Sequence, residues 1–291
     1  MTATGTADPA VPCLALDIGA TKVDAALVGA DGALSARRRL LVADAGGDLF
    51  AAVRDMVAPL AREGSPAVVG VACAGPMSAD GEEVSPLNIA QWRRFPLRAR
   101  LREALGIEVH VEGDARSLAL AEGRFGAART LTSYLSMVVS TGIGGGLVLD
   151  GRLVNGASSN AGHVGHLHVV DGGRDCACGA QGCLEAEASG TAIAARTGRP
   201  ARDADPATRR RSAELVGRAV GTLGAVLDFT HCFVAGSVAR GYGAAFFATA
   251  TASARQVARL EYCANFEVRP SALDDDGPLL GAALVGWRGH T

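Results

Sequence analysis

Three cysteines lie within eight residues of one another, at Cys176, Cys178 and Cys183, and His166 precedes them in the spacing H-x9-C-x-C-x4-C. Three thiolates and an imidazole form the ligand set of a closed tetrahedral zinc site, which leaves no position for a substrate or a water. Free thiols on a loop are the alternative, but the segment is too short, polar and glycine-rich to bury three cysteines. The spacing therefore predicts a structural zinc ion.

Two small-residue turns each join a pair of apolar stretches, DIGATK at 17–22 and TGIGGG at 141–146. Glycine allows backbone N–H groups to approach an anion closely, and Thr21 adds a hydroxyl donor. Asp17 is a carboxylate of the type that Mg²⁺ prefers. An ordinary hairpin turn is the alternative for each turn alone, whereas the pair predicts a two-sided phosphate clamp. The candidate phosphate-binding residues are Asp17, Gly19, Thr21, Lys22, Thr141, Gly142, Gly144 and Gly145.

The elements that must position these residues alternate between strand and helix patterns, which predicts an α/β fold with a largely parallel sheet. The predicted strands are a hairpin over 13–28 and single strands near 33–41, 67–73, 108–111, 134–140, 147–149 and 231–235. The predicted helices cover 47–63, 97–105, 115–123, 209–227 and 278–287.

Each half of the chain opens with a strand, a small-residue turn and a second strand, which predicts two related α/β lobes with a cleft between them. We expect a disordered N-terminus over 1–12 and a small lobe over 13–114, on which the C-terminal helix at about 278–288 packs. Residues 115–277 then form a large lobe that contains the zinc knuckle.

The 291-residue composition excludes several classes of protein. With 48% hydrophobic residues and a net charge of −2, the chain is not disordered and is not a general nucleic-acid binder. Its longest apolar runs are too short to cross a bilayer, and no secretory signal is present, so a cytoplasmic location is expected. Lys22 is the single lysine among the 28 Lys and Arg residues, either by chance or because it serves the first phosphate turn.

The motifs LDIGATK, ACAGP, GDA followed by ALAE, STGIGGGLV, AGHVGH and CACGAQGCLEAEASG together resemble the ROK family (repressors, open reading frames and kinases). The resemblance runs from about Cys13 to Trp287. It implies the actin-like ATPase (ribonuclease H-like) fold and an ATP-dependent, hexokinase-type enzyme with a sugar and ATP as its ligands. It also implies Mg²⁺ bound with ATP and a homo-oligomer, either a dimer or a tetramer.

The resemblance also implies roles for single residues. Asp114 occupies the position of the general base that takes the proton of the sugar 6-hydroxyl. A helix N-cap is the alternative role for Asp114, and the two roles are compatible. The remaining implied residues are Gly236 and Ser237 for adenosine, Glu185 and His166 for sugar hydroxyls, and Gly75 and Asn88 for the pocket wall.

Two sugar-binding positions depart from the family pattern. The chain has His163 where the family usually has Glu, and Gly113 where it usually has Asn before the base. Each buried hydrogen bond lost in this way is worth about 1 kcal/mol or more. The leading hypothesis is therefore a sugar altered at C2 or C3, such as 3-amino-3-deoxyglucose (kanosamine).

Other functions remain as alternatives. An ordinary glucokinase is one alternative. The altered pocket suggests a catalytically silent sugar sensor or interaction protein as another, but Asp114 and both glycine turns weigh against it. A sugar-responsive repressor is disfavoured, because the first phosphate turn begins at Asp17 and leaves no room for a helix-turn-helix before it. The near-neutral charge disfavours a zinc-ribbon nucleic-acid binder.

Overall fold

The computed structural model describes residues 11–273 and 275–290. In this part of the chain the strands are β1 Cys13–Ile18, β2 Lys22–Val28, β3 Leu34–Leu41, β4 Val68–Cys73, β5 Glu108–Gly113, β6 Tyr134–Val139, β7 Ile143–Leu149, β8 Arg152–Leu153, β9 His231–Ala235 and β10 Glu267–Pro270. The helices are α1 Leu49–Gly64, α2 Leu97–Leu105, α3 Asp114–Arg124, α4 Leu184–Ala188, α5 Gly190–Thr197, α6 Pro206–Leu227, α7 Ser237–Tyr242, α8 Ala244–Val257 and α9 Gly277–His290.

The strands form two sheets with the same topology, one in the order β3-β2-β1-β4-β5 and one in the order β10-β9-β6-β7-β8. In each sheet the first strand pairs antiparallel with the second and parallel with a strand that follows a helix. The repeated strand–turn–strand pattern therefore corresponds to a repeated supersecondary unit. The α/β prediction is confirmed, but both sheets are mixed rather than largely parallel.

The described residues fall into two compact units. Unit 1 consists of residues up to 121 together with 155–161 and the segment from 275, and unit 2 consists of 122–154 and 162–274. Unit 1 thus contains most of α3, whereas the predicted small lobe ends at Asp114. Of the N-terminus expected to be disordered, residues 1–10 lie outside the described part, and the Val11 carbonyl accepts a hydrogen bond from Trp287 Nε1.

Unit 1 packs α1 and α9 against its sheet. Asp48 caps α1 by accepting a hydrogen bond from the Ala51 amide at 3.0 Å, and the apolar residues of the helix are buried at helical spacing. Most of α9 is buried, and it crosses β4 at Gly70, where a Cβ would lie 1.8 Å from the Ala282 carbonyl oxygen. Only glycine allows this backbone approach.

Unit 2 has its core between its sheet and α6, which packs against α8. Asp205 caps α6 through the Thr208 amide at 3.0 Å, and Pro206 is the first helical residue, so the helix starts three residues before the predicted boundary. The short strand β10 and the helix α8 were not predicted. Residues 143–146, expected within a turn, are the first half of β7.

Candidate functional site

The parallel strands of unit 1 bring its candidate residues to one edge of the sheet. Ile18 pairs with Cys73, and Cys73 pairs with Gly113, so β1, β4 and β5 end side by side. Asp17 and Asp114 therefore lie at the carboxyl ends of strands that flank β4. This edge is where open α/β sheets bind their ligands.

Asp17 and Asp114 interact electrostatically. Burial, and then the charge of Asp114, raise the pKa of Asp17 to about 7, while the charge of Lys22 opposes the rise. A cation near Asp17 would oppose both of these effects on its pKa. Asp114 is the first residue of α3 and not its N-cap, and its Oδ1 accepts a hydrogen bond from the Ala115 amide at 2.7 Å.

The first phosphate turn is a tight connection between β1 and β2. The Gly19 amide donates to the Lys22 carbonyl at 3.0 Å, so this N–H closes the turn and is not available to an anion. Thr21 is exposed at the tip. Lys22 forms an ion pair with the buried Asp24, with Nζ 3.0 Å from Oδ2, and its side chain is 40% exposed.

Gly75 and Asn88 lie in the long connection between β4 and α2. Gly75 is partly buried, two residues beyond the end of β4, whereas Asn88 is exposed in a turn. The described contacts thus place Gly75 near the strand edge but do not bring Asn88 to it.

The stem of Arg116 lies beside Gly113, at the place where a larger residue would have its side chain. Arg116 was not among the predicted site residues. A Cβ at Gly113 would lie 3.2 Å from Cδ of Arg116. Arg116 is 5% exposed, and its Nε and Nη2 bind Glu112 Oε1 and Oε2 at 2.7 and 2.9 Å. Glu112 lies near the carboxyl end of β5 and Arg116 lies in the first turn of α3, and their opposite charges four residues apart are the sequence pattern that indicates this pair.

In unit 2, the second small-residue turn lies next to the end of β9. Val138 pairs with both Gly144 and Ala235, so the turn at 140–142 and Gly236 share a sheet edge. Ser140 Oγ and Ser237 Oγ are 3.0 Å apart. Gly236 has a φ of 101°, and a Cβ there would lie 2.4 Å from the Val139 carbonyl oxygen. Thr141 is exposed, and Gly142 is partly buried.

Gly145 of β7 has a packing role. A Cβ at Gly145 would lie 2.8 Å from Val164, and one at Gly162 would lie 2.3 Å from the Gly145 carbonyl oxygen. A Cβ at Gly165 would lie 2.2 Å from the Ile143 carbonyl oxygen. Close approach thus occurs between β7 and the segment 162–166, which carries His163 and His166.

Glu185 is held against the same strand. Its Oε2 accepts a hydrogen bond from the Ile143 amide at 2.7 Å, while its Oε1 has no hydrogen bond to any described residue. The rings of His163 and His166 lie 6.0 Å apart, centroid to centroid. Segment 162–166, α4 and β7 therefore form one packed group that contains the sugar-binding candidates of unit 2.

The four predicted metal ligands come together, with their ligand atoms all within 4.8 Å of one another. Cys178 Sγ is 3.7 Å from Cys183 Sγ, and Cys176 Sγ is 3.6 Å from His166 Nδ1. Tetrahedral zinc with Zn–S of about 2.3 Å and Zn–N of about 2.05 Å requires separations of about 3.8 and about 3.6 Å. Burial and then the neighbouring thiols raise the pKa of Cys183 to about 12, which a bound cation would reverse. The cluster could hold a zinc ion.

Two sheets of equal topology, each with a small-residue turn at the same relative position, define the actin-like ATPase fold of the sugar kinases. The model of the ROK family matches residues 13–287, so the chain belongs to the ROK family. No helix in the described residues combines the length and apolar character needed to cross a membrane.

Known members of the family are similar over nearly the whole chain. The N-acetylmannosamine kinase of Shigella boydii is 33% identical, over 94% of this chain and 97% of the relative. The crystal structure of a ROK family glucokinase from Streptomyces griseus, in complex with glucose and AMPPNP, has a TM-score of 0.84 at 26% identity and covers 96% and 100% of the two chains. The ROK hexokinase of Thermus thermophilus has a TM-score of 0.77 at 31% identity, over 96% and 99%.

Proposed function

We propose that this protein transfers the γ-phosphate of ATP to the 6-hydroxyl of a hexose or amino-hexose, with Asp114 as the general base. The observation that carries the proposal is the position of Asp114 beside Asp17 at the carboxyl edge of the unit 1 sheet. A kinase needs a base for the acceptor hydroxyl and a carboxylate for the metal of the nucleotide. The two aspartates supply one of each.

In this mechanism Asp114 accepts the proton of the 6-hydroxyl as that oxygen forms its bond to the γ-phosphorus. The bond from the γ-phosphorus to the bridging oxygen of ADP breaks, and the electron pair leaves with ADP. Asp17 is the residue that would hold Mg²⁺, which when bound with ATP neutralises charge on the phosphates. The hydrogen bond from the Ala115 amide orients Asp114.

The phosphates and adenosine of ATP are assigned to Thr21 and Lys22 in unit 1, and to Thr141, Gly142 and the Gly236–Ser237 turn in unit 2. Thr21 and Thr141 present exposed hydroxyls at the tips of their turns. Gly19 supports the first turn through its backbone, because its amide donates to the Lys22 carbonyl. Gly144 and Gly145 are proposed to support the second turn as part of β7, where a Cβ at Gly145 would lie 2.8 Å from Val164.

The proposed sugar ligands in unit 2 are Glu185, His163 and His166. Glu185 has one carboxylate oxygen free of described partners, which can accept a hydrogen bond from a sugar hydroxyl. His163 replaces a carboxylate with an imidazole that both donates and accepts, and this change favours an altered substituent on the ring. The leading substrate is 3-amino-3-deoxyglucose.

Two other substrates have specific support. The N-acetylmannosamine kinases align over most of this chain, which supports an acetylated amino-hexose. The glucose-bound Streptomyces griseus enzyme supports glucose. A kinase assay over glucose, mannose, N-acetylmannosamine, glucosamine and 3-amino-3-deoxyglucose distinguishes them by kcat/KM. We expect a free amino-hexose to rank first, and a wide preference for glucose would overturn this assignment.

The knuckle of His166 and the three cysteines is proposed to hold a structural zinc ion. All four ligands come from protein, so the ion would shape the segment that carries His166 and would not activate a water. One zinc per chain by metal analysis is the expected result.

A further inference from the structure

Unit 2 has an open cavity of about 580 Å³ that involves none of the residues assigned to sugar, nucleotide or metal. It lies between the loop before the cysteines and the helices α4, α5 and α6. The larger side chains that line the cavity are those of Val170, Arg174, Glu187, Arg196, Thr208 and Arg211.

The one carboxylate that lines this cavity is already satisfied. Glu187 is 4% exposed, and its Oε1 accepts a hydrogen bond from the Arg174 amide at 2.7 Å. Its Oε2 accepts one from Arg211 Nη2, also at 2.7 Å. Glu187 therefore neutralises Arg211 and orients its guanidinium at the cavity wall.

Two positive charges are left without such a partner. The side chains of Arg174 and Arg196 make no hydrogen bond or salt bridge with any residue that the structure describes, although Arg196 is partly buried. Burial and then the charge of Arg211 lower the pKa of Arg196, while Glu187 and Asp205 oppose this effect. Crowded guanidinium groups are stabilised when an anion joins them, because each N–H then gains a charged acceptor.

We propose that this cavity binds the phosphate group of a small phosphorylated metabolite. Guanidinium groups bind phosphate oxygens in a bidentate geometry. The three arginines around the cavity have more N–H donors than the single carboxylate of Glu187 can accept. The volume lies in the range of roughly 300–1,000 Å³ that is typical of small-ligand sites, so it accommodates an organic group beside the phosphate. This proposal does not depend on the kinase activity.

Calorimetric titration with glucose 6-phosphate, inorganic phosphate and glucose tests the site. The titrations are made on the wild type, Arg196→Gln and Arg199→Gln, with a non-hydrolysable ATP analogue and Mg²⁺ present to occupy the phosphate turns. Arg199 is the matched control, because it is exposed and does not line the cavity. We expect Arg196→Gln to weaken binding of glucose 6-phosphate at least tenfold, and Arg199→Gln and the wild type to bind equally.

Absence of binding, or equal binding by all three proteins, would overturn the proposal. Inorganic phosphate that binds as tightly as glucose 6-phosphate would overturn the assignment of an organic phosphate and leave a site for free phosphate. Arg196→Lys keeps the charge but cannot form the bidentate hydrogen bonds of a guanidinium. We therefore expect its affinity for glucose 6-phosphate to lie between those of the wild type and Arg196→Gln. Melting temperatures confirm that each variant is folded.

Discussion

The methylene stem of Arg116 lies directly over Gly113, with Cδ 3.2 Å from the place where a Cβ would stand. Its guanidinium continues to Glu112, to the Asn155 side chain at 2.8 Å and to the Ala161 carbonyl at 3.0 Å. The glycine next to the proposed base is therefore not an empty space open to a larger substrate. A side chain at position 113 would require the Arg116 stem to shift by a few tenths of an ångström.

We expect Gly113→Asn to destabilise the protein by about 1–3 kcal/mol, because a larger side chain must displace the Arg116 stem. In an Arg116→Ala background the same substitution should cost less, with a coupling of about 1 kcal/mol or more in a double-mutant cycle. Urea denaturation of the four proteins measures this. Gly106→Asn is the control, since a Cβ there meets nothing within 4 Å and Asn tolerates the positive φ. Additive effects at 113 and 116 would contradict the relationship.

Replacement of Asp114 by Asn should lower kcat by a factor of about 10² to 10⁴, because the amide cannot accept the proton of the sugar hydroxyl. The fold should persist, since the side-chain oxygen can still accept the Ala115 amide. A coupled assay of ADP release measures the loss. Asp55→Asn, on the exposed face of α1, is expected to leave kcat unchanged. Wild-type protein that consumes no ATP with any sugar would instead favour the silent sugar sensor.

The raised pKa of Asp17 predicts a pH-dependent gain in stability for Asp17→Asn. The folded pKa is about 7 against an ordinary value of 3.8, so the folded state binds the proton more tightly than the unfolded state. Asp17 therefore adds to the free energy of unfolding of the wild type at about pH 4 and below. This contribution, at most about 4 kcal/mol, is lost as the pH rises to 7. The melting temperature of Asp17→Asn should match the wild type near pH 4 and exceed it at pH 8.

Asp55→Asn serves again as the control for this comparison, and its melting temperature should track the wild type at every pH. A constant difference between Asp17→Asn and the wild type across the pH range would contradict the assignment. Asp17→Asn should also lose ATP use, because an amide is a poor ligand for Mg²⁺.

Removal of zinc should lower the thermal stability of unit 2. Dialysis against a chelator, or the substitution His166→Gln, is expected to lower the metal content from about one zinc per chain and the melting temperature by about 5 °C or more. His168→Gln is the matched control, because His168 lies two residues away, is exposed and faces Asp171 instead of the cysteines. Equal zinc content in His166→Gln and His168→Gln would argue against this site.

Lys22→Arg should raise the KM for ATP about tenfold and leave the KM for the sugar unchanged. Arg39 already donates to both carboxylate oxygens of Asp24, at 2.6 and 2.9 Å. The guanidinium of an arginine at position 22 therefore cannot form a second two-bond contact with Asp24. Steady-state kinetics measure both constants, and Arg38→Lys on the exposed strand β3 is the control. An unchanged KM for ATP would mean that Lys22 serves only as a partner of Asp24.

Local patterns in the sequence were sufficient to predict the elements of the sheet edges and the group of candidate metal ligands. The hairpin at 13–28, the helix at 97–105 and the strand at 231–235 follow from apolar periodicity and turn residues, which are properties of neighbouring positions. The four candidate zinc ligands follow from spacing, because three of them lie within one short loop. The strand at 267–270 and the helix at 244–257 escaped prediction because one is short and the other is rich in small residues without a strong apolar stripe.

Only the tertiary structure explains why several of these positions carry glycine, lysine or arginine. Gly145 of β7 faces segment 162–166, about 20 residues further along the chain, and Arg116 contacts Ala161, 45 residues away. The single lysine pairs with Asp24, and the glycine before the proposed base makes room for an arginine stem. The contacts of Gly145 and of Arg116 with Ala161 depend on how distant segments pack, whereas Lys22–Asp24 and Gly113–Arg116 are contacts between near neighbours whose side-chain positions the packing fixes. Close packing leaves no periodic trace in the sequence.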